Sequence, residues 1–243
     1  MAEFKIDRFS QKLAEIRKAA RRISRTVRGR KPGTGFAWRA ARKILAAALA
    51  VMLPFLLVVK VSVWMHLDHG TPAYIAMLAG GLSMFVLLTV YVMLISWRLS
   101  GRWRLSSFVY RAVGVLVAVF CLYSILFISA GNVKSQQVKS TYASLHPLLR
   151  LAVSTLVMAD ADLVVTDAAR SREDYARMGI PLNERSLHFR QRTGYVHAVD
   201  LRTTGRGEVR NFIVSTYFDL MGFTTIRHVG TADHLHVSLP VPN

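Results

Sequence analysis

Three stretches of the chain stay apolar over lengths that no amphipathic pattern interrupts: residues 44–65 (ILAAALAVMLPFLLVVKVSVWM), 73–97 and 108–130. Crossing a bilayer takes about 20 consecutive apolar residues of helix, so each stretch predicts a transmembrane helix. Three buried helices of a soluble core are the alternative, but nothing else in the chain is large enough to surround them. Pro54 kinks the first helix, which membranes tolerate because neighbouring helices satisfy the freed carbonyl. Lys60 lies near its outer end, where a long side chain extends its ammonium toward the headgroups.

After residue 130 the pattern shortens and changes period. Residues 131–140 (GNVKSQQVKS) read as a polar linker, and 142–158 as a helix. Residues 162–170 (DLVVTDAAR) form a short β-rich run, and SREDYARMG a helical turn closed by Gly179 and Pro181. HAVDL (197–201) alternates as a strand, RTTGRG turns, 211–221 is a helix capped by Gly222, and FTTIRHV and LHVSLPV are strands. This order predicts a three-helix transmembrane region followed by an α+β domain with a small, mainly antiparallel sheet. About 100 residues suffice to bury one core.

Charge sharpens the division. The chain is 52% hydrophobic yet carries a formal charge of +18, a combination that one soluble fold rarely holds. Residues 1–43 account for most of it, with fourteen Lys/Arg against three acids; residues 131–243 hold thirteen against ten. Arg39, Arg42 and Lys43 precede the first apolar stretch, and Arg98, Arg102 and Arg104 lie between the second and third, whereas the loop HLDHGTP has no Lys or Arg. By the positive-inside rule the N-terminus is cytoplasmic and residues 131–243 extracytoplasmic. The expected organisation is a basic cytoplasmic amphipathic segment (1–43), three membrane helices (44–130), a linker (131–140) and an outer domain (141–243). Within the first segment, residues 4–28 place Phe4, Phe9, Leu13, Ile16, Ile23 and Val27 at helical spacing. Two readings fit: an interfacial helix drawn to anionic lipid headgroups, or a solvated basic tail that enforces topology. Nucleic-acid binding has no aromatic platform or motif behind it. The N-terminus does not read as a secretory signal peptide, and the single Cys121 excludes an intrachain disulfide framework.

The chemistry gathers near the C-terminus. Five of the eight histidines fall within residues 188–236, together with Asp200 and Asp233. In HAVDL, His197 and Val199 face one way and Ala198 and Asp200 the other, so an acid sits on a strand face beside an alanine. A catalytic zinc needs three N/O ligands and one open position, plus a carboxylate off the metal to carry protons. His188, Asp200 and His236 supply such ligands and Asp233 the proton carrier. His197 is a competing ligand, disfavoured because it faces away from Asp200. Taken singly, each residue has a plain structural reading: Arg170, for one, is placed to pair with Asp167 or Glu173. Their conjunction within 67 residues is what points to a site.

The motifs SLH, HAVDL and ADHLHVSL, in that order, resemble those of the zinc D-alanyl-D-alanine and L-alanyl-D-glutamate peptidases of bacteria and their phages, with a lysostaphin- and hedgehog-like fold. VVTDAARS resembles that family's arginine-bearing strand end, and Gly222–Phe223 its Gly-Phe before the final hairpin. The resemblance covers roughly residues 140–240. It implies Zn2+ held by His188, Asp200 and His236, with Asp233 as general base and His234 lining the site, stabilising the oxyanion. It also implies Arg170 and Ser186 on the substrate side. His188 and Asp200 are separated by eleven residues where the family has six, which lengthens the intervening loop. The expected activity is cleavage of peptidoglycan stem peptides by a protein of the bacterial cytoplasmic membrane. A domain that binds wall peptide or an envelope partner without hydrolysis is the second reading, and the three crossings leave room for self-association. A third reading makes the helices themselves a pore or carrier; against it, they hold one strongly ionic residue, Lys60, and no polar stripe.

Overall fold

The computed structural model describes residues 35–101, 103–179, 181–230 and 233–241, together with Lys18. The basic helix expected over residues 4–28 lies, Lys18 apart, outside the described residues. Three long helices come first: α1 (Gly35–His69), α2 (Ala73–Ser100) and α3 (Ser107–Leu126). Each is long and apolar enough to cross a membrane. Helix α1 begins nine residues before the apolar stretch, because the Ala-rich run carrying Arg39, Arg42 and Lys43 has nothing to break it. Helix α3 stops at Leu126 rather than 130, where Phe127 turns extended.

Residues from Met52 onward form one compact unit. Helices α1 and α2 approach closely at Gly80, where an added Cβ would overlap Ser62 Oγ and the Val58 carbonyl. Small residues at such crossings let backbones pack where lipid offers no hydrophobic drive. Phe55 of α1 meets Phe120 of α3 edge-on, ring centres 5.0 Å apart. The core then continues without a break from Val59, Met84 and Val117 into Leu148, Val199 and Phe218 of the C-terminal domain.

The expected linker is folded structure. Ala130–Asn132 form a 3-10 turn, and the Asn132 amide donates to the Ala161 and Leu163 carbonyls at 2.7 and 2.9 Å. Val133 bridges Val165, with Lys134 N donating to the Val165 carbonyl at 2.8 Å. Helix α4 (Gln136–Thr141) follows, capped by Ser135. The segment looks polar, but Asn132, Val133 and Val138 are buried, and those three side chains hold it down.

The long helix expected from Tyr142 begins later, as α5 (Pro147–Ala159). Pro147 at its first turn forces His146 out of helical geometry (ψ 136°), and the His146 ring accepts the Leu148 N–H. Every residue of α5 from Pro147 to Leu156 is buried. A helix buried all round is covered on all sides: α5 packs against α2 and α3 and also against α7 (Glu208–Met221). Strands β1 (Val165–Asp167), β2 (Ala198–Arg202), β3 (Thr224–His228) and β4 (His234–Ser238) form an antiparallel sheet ordered β1-β2-β4-β3. Helix α6 (Arg172–Met178), with a Ser171–Asp174 capping box and Gly179 as left-handed C-cap, lies between β1 and β2 in sequence. Val199, Leu201, Leu235 and Val237 belong to the core; their alternating neighbours project from the opposite sheet face.

Candidate metal centre

Two adjacent strands supply half of the site. In the β2–β4 pairing Asp200 stands directly opposite His236, so carboxylate and imidazole project from the same sheet face. His188 arrives from a loop fixed at several points. Its backbone N–H donates to Ser186 Oγ at 3.3 Å, its carbonyl accepts from Arg170 N at 2.9 Å, and His197 N donates to the adjacent Leu187 carbonyl at 2.9 Å. The eleven residues between His188 and Asp200 include a tight return closed by Gln191 N to Tyr195 O at 2.9 Å, with Gly194 at φ 79°. The long spacing is therefore taken up by an outlying turn that leaves the loop ends in place.

His188 Nε2 lies 3.2 Å from Asp200 Oδ1 and 3.2 Å from His236 Nδ1, and His236 Nδ1 lies 2.9 Å from Asp200 Oδ1. Ligand atoms around a tetrahedral zinc at about 2.0–2.1 Å stand about 3.3 Å apart, close to this triangle. His188 Nδ1 donates to the Ala168 carbonyl at 2.8 Å, which fixes the tautomer and turns the Nε2 lone pair inward, the support that metal-binding imidazoles receive. Three lone-pair atoms converging with one ring already oriented is a donor set that fits a divalent metal, and these residues are a group that could hold one.

The electrostatics suit the carboxylate, while His188 would give up the proton it shares with Asp200 on binding a metal. Burial alone would raise the Asp200 pKa, but hydrogen bonds from His188 and His236 outweigh it and hold the carboxyl well below its ordinary range. Burial alone would lower that of His188, yet the hydrogen bond and charge of Asp200 raise it. The carboxylate is thus ionised, as a ligand must be.

A cavity of about 550 Å³ reaches this triangle at Asp200 and is lined among others by Lys134, Asp167, Arg170, Arg202, Asp233 and His234. The expected substrate clamp, Arg170, is engaged by acids: Nε donates to Asp167 Oδ2 at 2.6 Å and Nη2 to Asp200 Oδ2 at 3.4 Å. The ordinary ion pair with Asp167 is real, and it holds the guanidinium at the cavity wall. His234 points the same way, Nε2 3.7 Å from Asp200 Oδ2. Asp233 also lines the cavity, but its carboxylate accepts from Thr203 Oγ1 at 2.5 Å and from Arg227 Nε and Nη2 at 3.1 and 2.9 Å. The Arg227 and Thr203 hydrogen bonds pull its pKa down to about 2, so in this arrangement it is a poor proton acceptor. Ser186 Oγ is occupied in shaping the turn that delivers His188 and does not line the cavity.

His197 is elsewhere, as its strand face requires. Its Nε2 lies 2.7 Å from Thr193 Oγ1, and its ring is 4.8 Å from that of His146, itself 4.9 Å from His66 of α1. Three residues with no site role in the sequence join the cavity region, one of them, Asp167, named there only as a partner for Arg170. Lys134 comes from the supposed linker, Asp167 stands three residues before Arg170, and His228 stacks on His234 at 4.8 Å. Asp167 was findable from its i, i+3 spacing to the arginine; Lys134 and His228 are brought in by tertiary pairing alone. No protein-family profile, curated protein or solved structure matches the chain.

Proposed function

We propose that this chain is a membrane-anchored, zinc-dependent peptidase that hydrolyses amide bonds in the stem peptides of peptidoglycan. The convergence of His188 Nε2, Asp200 Oδ1 and His236 Nδ1 within 3.2 Å carries the reading. Zinc bound there would polarise the scissile carbonyl and supply a nucleophile at neutral pH. Arg170 and Lys134 on the cavity wall offer cationic groups to the carboxylates of a short acidic peptide. His234 stands beside the ligand Asp200, where a donor steadies negative charge developing on the carbonyl oxygen. Asp233, at the cavity wall, is the carboxylate offered as proton carrier, a role that requires its release from Arg227. In this reading the N-terminus is cytoplasmic, and the domain lies on the outer side of the bacterial cytoplasmic membrane, facing the wall.

One observation favours a second reading. Arg170 and Asp233, the two groups assigned to substrate and proton transfer, are both held by partners within the chain. A domain that keeps the metal and binds wall peptide without cutting it would have this arrangement. The test uses the full chain purified in detergent. Expected are about one zinc per chain, lost in His188→Ala and His236→Ala but kept in His197→Ala, and zinc-dependent release of amine from synthetic stem peptides. Zinc without cleavage, across D-Ala-D-Ala and L-Ala-D-Glu bonds, selects the binding module; absence of zinc removes the peptidase and leaves a metal-free binding domain.

A further inference from the structure

Helix α7 is apolar on two sides. Asn211, Val214, Tyr217, Phe218 and Met221 are buried toward the core. At about 100° per residue, the roughly opposite face carries Val209, Phe212, Ile213 and Leu220, exposed at 74, 42, 58 and 42%. Thr216 lies among them, and no charged residue falls on that stripe. The ionic side chains of α7 are turned aside and engaged: Glu208 with Arg227, Arg210 with Asp160 and Asp162, and Asp219 with Thr225.

The neighbouring α5 shows what such a face meets. Its far side is covered by α2 and α3, and two bonds tie it down: Ser154 Oγ donates to the Ser124 carbonyl at 2.9 Å and Arg150 Nη1 to the Ile125 carbonyl at 2.5 Å. Helices α5 and α7 lie side by side, with Tyr217 Oη donating to the Ala152 carbonyl at 2.9 Å. The surface that meets the transmembrane helices therefore continues along α7.

Depth can be read from the contacts. The last turn of α7 meets α1, where Lys60 Nζ donates to the Leu220 carbonyl at 2.8 Å and Val63 lies against Gly222. Lys60 is one turn below Trp64, and the α3 contacts lie beside Tyr123 and Phe127; all three rings are exposed. Aromatic side chains of this kind mark the level of the membrane–water boundary. Both junctions thus fall at that level, and the α7 stripe starts from one of them.

We propose that the outer face of α7 is inserted in the lipid leaflet on the domain's side, as an interfacial amphipathic helix. The domain then rests on lipid through Val209, Phe212, Ile213 and Leu220 as well as on α1–α3. Leu220 is the deepest of the four and Val209 the shallowest. This holds whatever the domain's chemistry.

The test places one nitroxide label on the full chain in vesicles of phosphatidylcholine and phosphatidylglycerol. In a Cys121→Ser background, Val209→Cys, Phe212→Cys, Ile213→Cys and Leu220→Cys are labelled separately and compared for collision with oxygen and with a water-soluble nickel chelate. Leu82→Cys on α2 is the lipid-facing reference and Arg185→Cys the water-facing one. The expected oxygen-to-nickel ratio at Phe212 and Ile213 exceeds that at Arg185 by about threefold or more and rises from Val209 to Leu220, as depth in the leaflet requires. Ratios equal to that at Arg185 place α7 in water and overturn the proposal. Labels reached by neither reagent, with spin–spin broadening removed by unlabelled protein, show a second copy covering the stripe and overturn it equally.

Discussion

Gly222 closes α7 and meets α1 at once, which makes the junction between domain and membrane helices measurable. Its N–H donates to the Asp219 carbonyl at 3.2 Å, and Phe223 N donates to the Phe218 carbonyl at 3.0 Å, the paired bonds of a Schellman cap. Its φ is 109°, and a Cβ there would lie 2.9 Å from Val63 Cγ1. Gly222→Ala therefore suffers two separable penalties. The backbone conformation costs about 1–2 kcal/mol for a residue with a Cβ, and the overlap with Val63 about 1–3 kcal/mol as an overpacked contact. Val63 is 1% exposed, so Val63→Ala alone costs about 2 kcal/mol for its lost methyl groups and the space they leave. Combined, the two substitutions should cost about 1–2 kcal/mol less than their sum, because removing the Val63 methyls relieves the overlap but not the backbone strain. The assay is denaturant or thermal unfolding of the full chain in detergent micelles, followed by near-ultraviolet circular dichroism, for all four members of the cycle. Additivity within about 0.5 kcal/mol would refute the reasoning, since it would mean that α7 does not rest on α1.

Two further outcomes are expected. His146 is buried beside His197 and near His66, and burial first, then the neighbouring His197, drives its pKa down to about 2. Below pH 6.5 the unfolded chain takes up a proton that the folded chain refuses. Stability should therefore fall with pH by up to about 1.4 kcal/mol per unit between pH 6.5 and the folded value, with a shallower loss between pH 6.5 and 5 in His146→Gln; an unchanged slope would count against it. Tyr217→Phe removes the buried bond to the Ala152 carbonyl and should lower unfolding stability by about 1 kcal/mol, read in the same assay.

What the sequence disclosed depended on how local its causes were. The membrane helices were legible because length and apolarity are properties of a single segment, and the strand HAVDL because period-two alternation separates Asp200 from His197. The same alternation settled which histidine belongs with Asp200: His188 reaches it and His197 turns to His146. Residues 131–140 look like a linker in sequence because the partners that hold Asn132 and Val133 down, Ala161 and Val165, lie some 30 residues away. The helical pattern begins at Tyr142, but α5 starts only at Pro147, whose ring holds His146 out of helical geometry. The place of Asp233 in ADHLH suggests a role for its carboxylate, and the arginine that holds it comes from the neighbouring strand β3. No spacing in the sequence announces that pairing.

Helix α5 has a consequence for how this chain can be divided. A conventional anchored domain can be cut free of its anchor, or given another, because the two parts meet only through a tether. Here Leu148, Leu149, Leu151 and Leu156 sit in one core with residues of α1, α2 and α3, and the segment where a cut would fall supplies Lys134 to the cavity. A truncated secreted version would bare the underside of α5 and lose part of its own pocket. Grafting residues 131–243 onto a generic single-span anchor would do the same. The unit of inheritance is thus the whole arrangement from Met52 onward, with the membrane helices serving as the floor of the domain they carry.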